Sequence, residues 1–205
     1  MRQGPLLPST AMSTPDRRAN AFLQGITYLR ILLVPAVMAL VLAGDRVRYA
    51  YVIGAVLFAL AAVTDFFDGL LARRWEQTSD LGSFLDTTAD KLLVAGALVA
   101  LVSVGRASPW IAFLIIGREI LILGLRGAIA ADGTVMRPSI WGKLKAAVQF
   151  LAITLAIVRT SGQLGPLYPD QWAMLVAAAF TMGSAVDYLA RFAGVFSGTR
   201  ERRLP

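Results

Sequence analysis

Apolar residues are gathered into six long blocks, separated by short polar segments, along most of the 205-residue chain. The blocks run over Phe22–Ala43, Arg48–Arg74, Leu85–Val104, Pro109–Ala131, Pro138–Val158 and Asp170–Phe196. A helix of about 20 apolar residues spans the hydrocarbon of a bilayer, and no block alternates as a barrel strand does. The pattern therefore predicts an all-α polytopic membrane protein with six transmembrane helices.

The polar stretch before the first block carries a helix start signal. Thr14 precedes Pro15, an arrangement typical of an N-cap followed by proline at the first helical position. We expect a short interfacial helix over Asp16–Gln24, lying at the membrane surface ahead of the first transmembrane helix. Residues 1–14 are predicted to be disordered, residues 15–197 to form one membrane domain, and residues 198–205 to form a basic tail.

The distribution of arginine predicts how the helices are oriented. With the N-terminus inside, the inner segments hold Arg2, Arg17, Arg18, Arg73, Arg74, Arg137, Arg200, Arg202 and Arg203. The outer loops then hold Arg46, Arg48, Arg106 and Arg159. The positive-inside rule therefore predicts that both termini are cytoplasmic. The net charge of +7 reflects topology and attraction to anionic lipid, and no nucleic-acid partner is expected.

The composition also limits the chemistry that the chain can perform. It contains no cysteine, which excludes disulfides, a thiolate nucleophile and palmitoylation. It contains no histidine, which excludes a phosphohistidine intermediate and with it lipid transfer by phospholipase D-type chemistry. Any general acid or base must therefore be Asp, Glu, Lys or Tyr.

Four aspartates lie where the second and third blocks reach the same membrane face. Asp65 and Asp68 are three residues apart, and Asp86 and Asp90 are four apart, so each pair lies on one face of its helix. Four carboxylates in one region of low dielectric repel one another strongly unless cations lie between them. Hard oxygen ligands suit Mg²⁺ or Mn²⁺, so the sequence predicts a site for one or two divalent ions.

Basic residues on the fourth and fifth blocks predict a second, anion-binding site. At about 1.5 Å per residue, Arg118 lies near mid-depth of its helix and Arg126 near the inner end. Lys143 lies in the first turns of the following helix. These three cations, with Arg137 as a further candidate, can form a basic pocket beside the aspartates for an anionic second substrate.

Each of these cations also has a purely structural interpretation. For Arg137 and Lys145 we favour extension of the side chain to the lipid headgroups. Arg118 is too deep in its helix for that, and its alternative is an ion pair with Glu119 or Asp187.

The aspartates belong to a longer pattern of fixed spacing, D-x-x-D-G-x-x-A-R-x8-G-x3-D-x3-D. Its defined positions are Asp65, Asp68, Gly69, Ala72, Arg73, Gly82, Asp86 and Asp90. The pattern resembles the signature of the CDP-alcohol phosphotransferases, integral membrane enzymes that displace CMP from a CDP-linked substrate with an alcohol. Within that family, Arg118–Arg126 followed by Ile140–Lys145 and Gln149 looks like bacterial phosphatidylglycerophosphate synthases, as does the opening Thr27–Ile31 with Pro35.

The resemblance implies roles for residues at matching positions. The ligands of two divalent ions, Mg²⁺ or Mn²⁺, would be Asp65, Asp68, Asp86 and Asp90, with Asp90 also the general base. The CDP moiety would contact Asp68, Gly69, Ala72 and Arg73. The acceptor phosphate would contact Arg118, Arg126 and Lys143. One departure is Ala21–Gln24, which stands where the family has an asparagine-proline turn, so no contact is carried over to that segment.

The resemblance also implies the reaction and its setting. A homodimer in the bacterial cytoplasmic membrane, with its active site facing the cytoplasm, would transfer the phosphatidyl group from CDP-diacylglycerol to sn-glycerol 3-phosphate, giving phosphatidylglycerophosphate and CMP. A phosphorylated acceptor is favoured because three cations exceed what a neutral alcohol requires. The alternatives are inositol phosphate, serine or phosphatidylglycerol as acceptor, or, from another class, an ion transporter. A transporter needs polar residues through the outer halves of its helices, and those are lacking.

Overall fold

A computed structural model describes the backbone of residues 14–75, 80–131, 140–159 and 162–196, and the side chains of residues 25–64, 85, 87–129, 144–159 and 162–190. Six helices account for nearly all of this: α1 (Thr14–Leu42), α2 (Ala50–Trp75), α3 (Asp80–Ser103), α4 (Pro109–Ala131), α5 (Ile140–Val158) and α6 (Pro169–Phe196). No β-strand occurs in these ranges, which confirms the all-α prediction. The predicted segments 1–14 and 198–205 lie almost wholly outside the described residues.

The first helix is longer than the sequence suggested. α1 begins at Thr14, as the signal at Thr14 and Pro15 predicts, and continues without a break to Leu42. The expectation of a separate interfacial helix over Asp16–Gln24 is therefore wrong. Once a helix has started, each added residue gains a hydrogen bond, whereas a break leaves backbone groups that need new partners. No proline lies between Asp16 and the apolar block to impose such a break.

Short links join the helices, so consecutive helices run in opposite directions. α1 packs on α2 and α3, α5 packs on α2 and α6, and α4 packs on α3 and α6. Contact between α2 and α3 is light. We call the end of the bundle where α2 ends and α3 begins the motif end. We call the opposite end, which includes residues 43–49, 104–108, 159 and 162–168, the loop end.

The bundle exposes large apolar side chains and buries several polar ones beside an apolar core. Strongly exposed side chains include Leu32, Trp110, Phe113, Ile120, Leu151 and Val186. Buried polar side chains include Arg30, Glu119, Lys145, Gln149 and Asp170. Charged groups are almost never fully buried in soluble proteins unless they are paired, and large exposed apolar surfaces mark contact with lipid or another protein. The bundle thus presents an apolar exterior around a partly polar interior.

Two helical segments are long and apolar enough to cross a bilayer by length and composition, Gly25–Leu42 and Pro169–Ala190. Within the part of the chain whose side chains are described, α2 and α5 contribute the apolar stretches Ala50–Thr64 and Leu144–Val158. α4 is long enough as well, but it carries Arg118, Glu119 and Arg126 along its length. In α4, charge within the helix therefore separates the segment from a simple hydrophobic span.

At the loop end a single guanidinium joins several elements. Gly105, with φ of 67°, closes α3 with the two backbone hydrogen bonds of a Schellman motif: its N–H donates to Val102 and that of Arg106 donates to Leu101. Arg106 then donates to the carbonyl of Ile157 at the end of α5 at 2.6 Å and lies over the ring of Tyr51, 3.4 Å from its centroid. α2, α5 and the α3–α4 link are thereby tied together.

α1 and α3 approach closely at Gly96. A Cβ added there would lie 2.8 Å from Cγ1 of Val34 and 3.0 Å from Sδ of Met38, both on α1. Distances of this size force the neighbouring side chains to move, and valine has little rotamer freedom in a helix. The absence of a side chain at Gly96 therefore sets the α1–α3 separation.

We expect Gly96→Leu to lower the free energy of unfolding by about 1 to 3 kcal/mol, because the added side chain overpacks the α1–α3 contact. Thermal unfolding of the detergent-solubilised protein measures the effect. Gly124→Leu is the matched control, since a Cβ at Gly124 meets no atom within 4 Å. Equal unfolding midpoints for the two variants would contradict the close contact.

Candidate active site

The backbone places the signature residues on two neighbouring helices. Asp65, Asp68, Gly69, Ala72 and Arg73 lie on α2, and Gly82, Asp86 and Asp90 lie on α3. α3 begins at Asp80, five residues earlier than the apolar block suggested, so Asp90 lies about 15 Å from the start of the helix. Of these eight residues, only Asp90 has a side chain within the described part. The predicted side-chain roles of the others, and of Lys143 and Arg137, fall outside it.

Asp90 presents one engaged and one unengaged oxygen. Its side chain is 14% exposed, and Oδ2 accepts a hydrogen bond from Nζ of the neighbouring Lys91. Oδ1 is buried and accepts no hydrogen bond from any described residue. A buried carboxylate oxygen without a partner is costly, and a metal ion or a transferred proton would satisfy it. Among the described side chains no three acidic groups converge, since the other three aspartates of the signature are not among them.

A second buried carboxylate, Glu119 on α4, gathers three cations. Its Oε2 lies 3.2 Å from Nζ of Lys91 on α3. Its Oε1 lies 3.3 Å from Arg118 Nη1 and also contacts Nζ of Lys145 on α5. Only 5% of Glu119 is exposed. We call Asp90, Lys91, Arg118, Glu119 and Lys145 the Glu119 cluster.

The Glu119 cluster extends to a fourth helix through Arg118. Nη2 of Arg118 donates to Oγ of Ser184 on α6 at 3.1 Å, and Ser184 donates in turn to the carbonyl of Thr181 at 2.9 Å. Nε of Arg118 is buried and has no acceptor among the described residues. One donor of this guanidinium is thus available for a further acceptor.

The charges of the Glu119 cluster do not cancel. Lys91, Arg118 and Lys145 are cationic, while Asp90 and Glu119 are anionic, which leaves one net positive charge in the cluster. Isolated buried charge is costly, so Glu119 is needed to hold the three cations together. The excess favours binding of an anion at this place.

The structure corrects the interpretation of Lys145. The expectation that this side chain extends to the headgroups is wrong, because the residue is only 3% exposed and its ammonium pairs with Glu119. Since α5 packs near the helices that carry the cluster, a carboxylate inside the bundle replaces the lipid headgroup as partner. For Arg118, the alternative of an ion pair with Glu119 is the one that the structure shows.

Arg126 lies apart from the Glu119 cluster. It is eight residues beyond Arg118 on α4, about 12 Å along the helix axis. Its side chain is exposed, and its guanidinium lies 5.9 Å from the ring centroid of Tyr188 on α6. Of the three cations predicted to bind the acceptor, Arg118 therefore joins Asp90 through Lys91 and Glu119, whereas Arg126 lies further along the same helix.

Sequence reasoning missed Lys91 and Ser184. Lys91 directly follows Asp90 and precedes an apolar run, and a lysine at that depth must find an acidic partner, which is a usable signal. Ser184 offers no such signal, because a serine in an apolar helix is common and its partner comes from another helix.

Comparison with known proteins identifies the family of this chain. The profile of the CDP-alcohol phosphatidyltransferase family matches residues 24–183. A probable phosphatidylglycerophosphate synthase from Mycobacterium tuberculosis strain H37Rv is 37% identical over 197 residues, which cover 95% of this chain and 92% of that protein.

Two further relatives are named CDP-diacylglycerol--glycerol-3-phosphate 3-phosphatidyltransferase. The protein from Bacillus subtilis is 35% identical over 177 residues, 81% of this chain and 92% of its own. The protein from Sodalis glossinidius is 40% identical over 170 residues, 80% of this chain and 90% of its own. With the complete signature on α2 and α3 and a family profile that spans both helices, the chain belongs to the CDP-alcohol phosphatidyltransferase family.

Proposed function

We propose that the protein transfers the phosphatidyl group of CDP-diacylglycerol to sn-glycerol 3-phosphate, giving phosphatidylglycerophosphate and CMP. The observation that carries the proposal is the Glu119 cluster, in which a carboxylate with one unengaged oxygen lies beside an excess of buried positive charge. That pairing suits a reaction in which an anionic acceptor must lose a proton. The names of the relatives give the same two substrates.

The residues present fit a site for divalent ions. Asp65, Asp68, Asp86 and Asp90 are the proposed ligands, and the unpartnered Oδ1 of Asp90 supports this assignment. When bound, Mg²⁺ or Mn²⁺ would neutralise charge on the pyrophosphate of the lipid substrate. Gly69, Ala72 and Arg73, with Asp68, are proposed to contact the CDP moiety.

Asp90 is proposed to act as the general base. It would take the proton of the acceptor hydroxyl as that oxygen forms a bond to the phosphorus that carries diacylglycerol. The bond from this phosphorus to the oxygen of CMP breaks, and CMP leaves with the electron pair. Phosphoryl transfer needs mainly alignment and charge neutralisation from a protein, so the placement of Asp90 relative to the acceptor is the main demand.

The acceptor phosphate is proposed to bind Arg118, Arg126 and Lys143. Arg118 is the best supported of the three, because Nε of its buried guanidinium has no acceptor among the described residues. A phosphate oxygen would satisfy it with a charge-assisted hydrogen bond.

The setting proposed for this reaction is a membrane crossed by all six helices. Apolar side chains cover the outside of the bundle, including on helices whose interiors carry charge, such as Phe113 and Ile120 on α4. The arginine distribution supports cytoplasmic termini and a motif end that faces the cytoplasm. The exposed apolar faces are also compatible with a homodimer.

Activity is expected to require a divalent metal, and Asp65→Asn, Asp68→Asn and Asp86→Asn should each abolish it. Removal of one anion weakens metal binding but also relieves repulsion among the carboxylates, so the protein should stay folded. Incorporation of radiolabelled glycerol 3-phosphate into lipid measures activity, and thermal unfolding checks the fold. Full activity in EDTA, or in any of these variants, would refute the metal assignment.

For Asp90→Asn we expect kcat to fall by at least about 10², with a smaller effect on the KM for CDP-diacylglycerol, because the amide cannot accept the acceptor's proton. Steady-state kinetics with both substrates measures the two constants. Turnover close to that of the unaltered protein would exclude Asp90 as the base.

Neutralising the acceptor site should raise the KM for glycerol 3-phosphate by roughly 10-fold to 100-fold in Arg126→Ala and in Lys143→Ala, the scale of one charge-assisted contact. Arg118→Ala should do the same and also lower the unfolding midpoint, because Glu119 and Ser184 lose a partner. Arg46→Ala, exposed at the loop end, is the control. An unchanged KM in all three variants, or equal use of plain glycerol, would argue against this site.

A further inference from the structure

We infer that Lys91 is a positioning residue, which holds the carboxylate of Asp90 at a fixed place relative to Arg118 by bridging Asp90 and Glu119. The inference rests on the proposed function, in which Asp90 accepts a proton from the acceptor and Arg118 binds the acceptor phosphate. It adds a role for two residues, Lys91 and Glu119, that the proposed chemistry leaves unassigned.

Lys91 contacts one oxygen of each of two carboxylates. Its Nζ donates to Oδ2 of Asp90 and lies 3.2 Å from Oε2 of Glu119. The carboxylate torsion of an aspartate is broad and nearly two-fold, so an isolated Asp90 would present either oxygen to the acceptor. With Oδ2 held by Lys91, Oδ1 is the oxygen left unengaged. Lys91 thereby selects the oxygen of Asp90 that is left to the proposed site.

The other end of the bridge is fixed more firmly. Arg118 and Lys145 both contact Oε1 of Glu119, which leaves Oε2 to Lys91. The two oxygens of Glu119 therefore have separate partners, and rotation of this carboxylate would break contacts on both sides. Because Glu119 restrains Lys91, the carboxylate of Asp90 is held in a fixed position relative to α4.

A continuous series of contacts results, from Asp90 through Lys91 and Glu119 to Arg118. Its two ends are the proposed base and the proposed phosphate ligand, which must engage the hydroxyl and the phosphate of one small acceptor together. Misplacement of a reacting group by about 1 Å can cost 10²-fold in rate. The separation of these two ends is therefore a direct determinant of turnover.

Loss of Lys91 affects the two carboxylates differently. Glu119 keeps Arg118 and Lys145 as partners, and the remaining cluster has two anions and two cations. Asp90 loses the cation that contacts its Oδ2, so the unfolding midpoint is expected to fall. Positioning is therefore separated from a structural role by the effect on kcat compared with KM and by rescue with Lys91→Arg, which restores a cation at this place.

The test compares Lys91→Met and Lys91→Arg in the full-length protein, purified in detergent and assayed with CDP-diacylglycerol and glycerol 3-phosphate. Lys91→Met keeps the length of the side chain without its charge. We expect its kcat to fall by about 10-fold to 100-fold, while the KM for glycerol 3-phosphate stays close to that of the unaltered protein. The unfolding midpoint should fall, because the carboxylate of Asp90 loses its partner. Lys91→Arg should recover most of the turnover, because a guanidinium can bridge two carboxylates.

Arg46→Met, which removes a positive charge from the exposed loop end, is the matched control and should leave all three quantities unchanged. A kcat of Lys91→Met equal to that of this control would overturn the positioning role. So would a loss of kcat that follows a lowered unfolding midpoint and is not rescued by Lys91→Arg. Failure of the unaltered protein to form phosphatidylglycerophosphate would overturn the proposed function and this inference together, whereas a normal Lys91→Met overturns the inference alone.

Discussion

The buried carboxylate of Glu119 is the constraint on which the centre of this bundle depends. Without it, Lys91, Arg118 and Lys145 would place three positive charges inside a bundle with an apolar exterior. Such a group is stable only if each cation has an anionic partner. Glu119 is the anionic partner of all three cations. Through the contact of Arg118 with Ser184 it also joins α6 to α3, α4 and α5. The same set of ion pairs therefore holds four helices together and makes the interior partly polar.

This organisation suits a chain of low charge content to ionic chemistry in the membrane setting proposed for it. The exposed surface is apolar, with side chains such as Trp110 and Leu151, so it can be solvated by acyl chains. The interior retains one net positive charge within the Glu119 cluster, where water cannot screen it as it would on a surface. An anion that reaches this interior therefore meets a positive electrostatic potential that exists before it binds.

The sequence predicted the helices well because apolar runs of membrane length have few alternative structures. The signature also singles out Asp90, whose roles as base and metal ligand stay predictions. The failures concern partners that are distant along the chain: Lys145 pairs with Glu119, 26 residues away, and Arg118 with Ser184, 66 residues away. Such pairs depend on how helices pack, which local periodicity does not encode. The continuity of α1 was missed because polarity changes along it while its backbone hydrogen bonding does not.

The contacts of Arg106 join several elements at the loop end of the bundle. One guanidinium links the α3–α4 link to Tyr51 on α2 and to the end of α5, and Tyr51 in turn donates to Asp45. Three parts of the chain that are distant in sequence are therefore joined at the loop end. The Glu119 cluster joins α3, α4, α5 and α6 deeper in the bundle, so both sets of contacts depend on a buried or half-buried cation shared between helices.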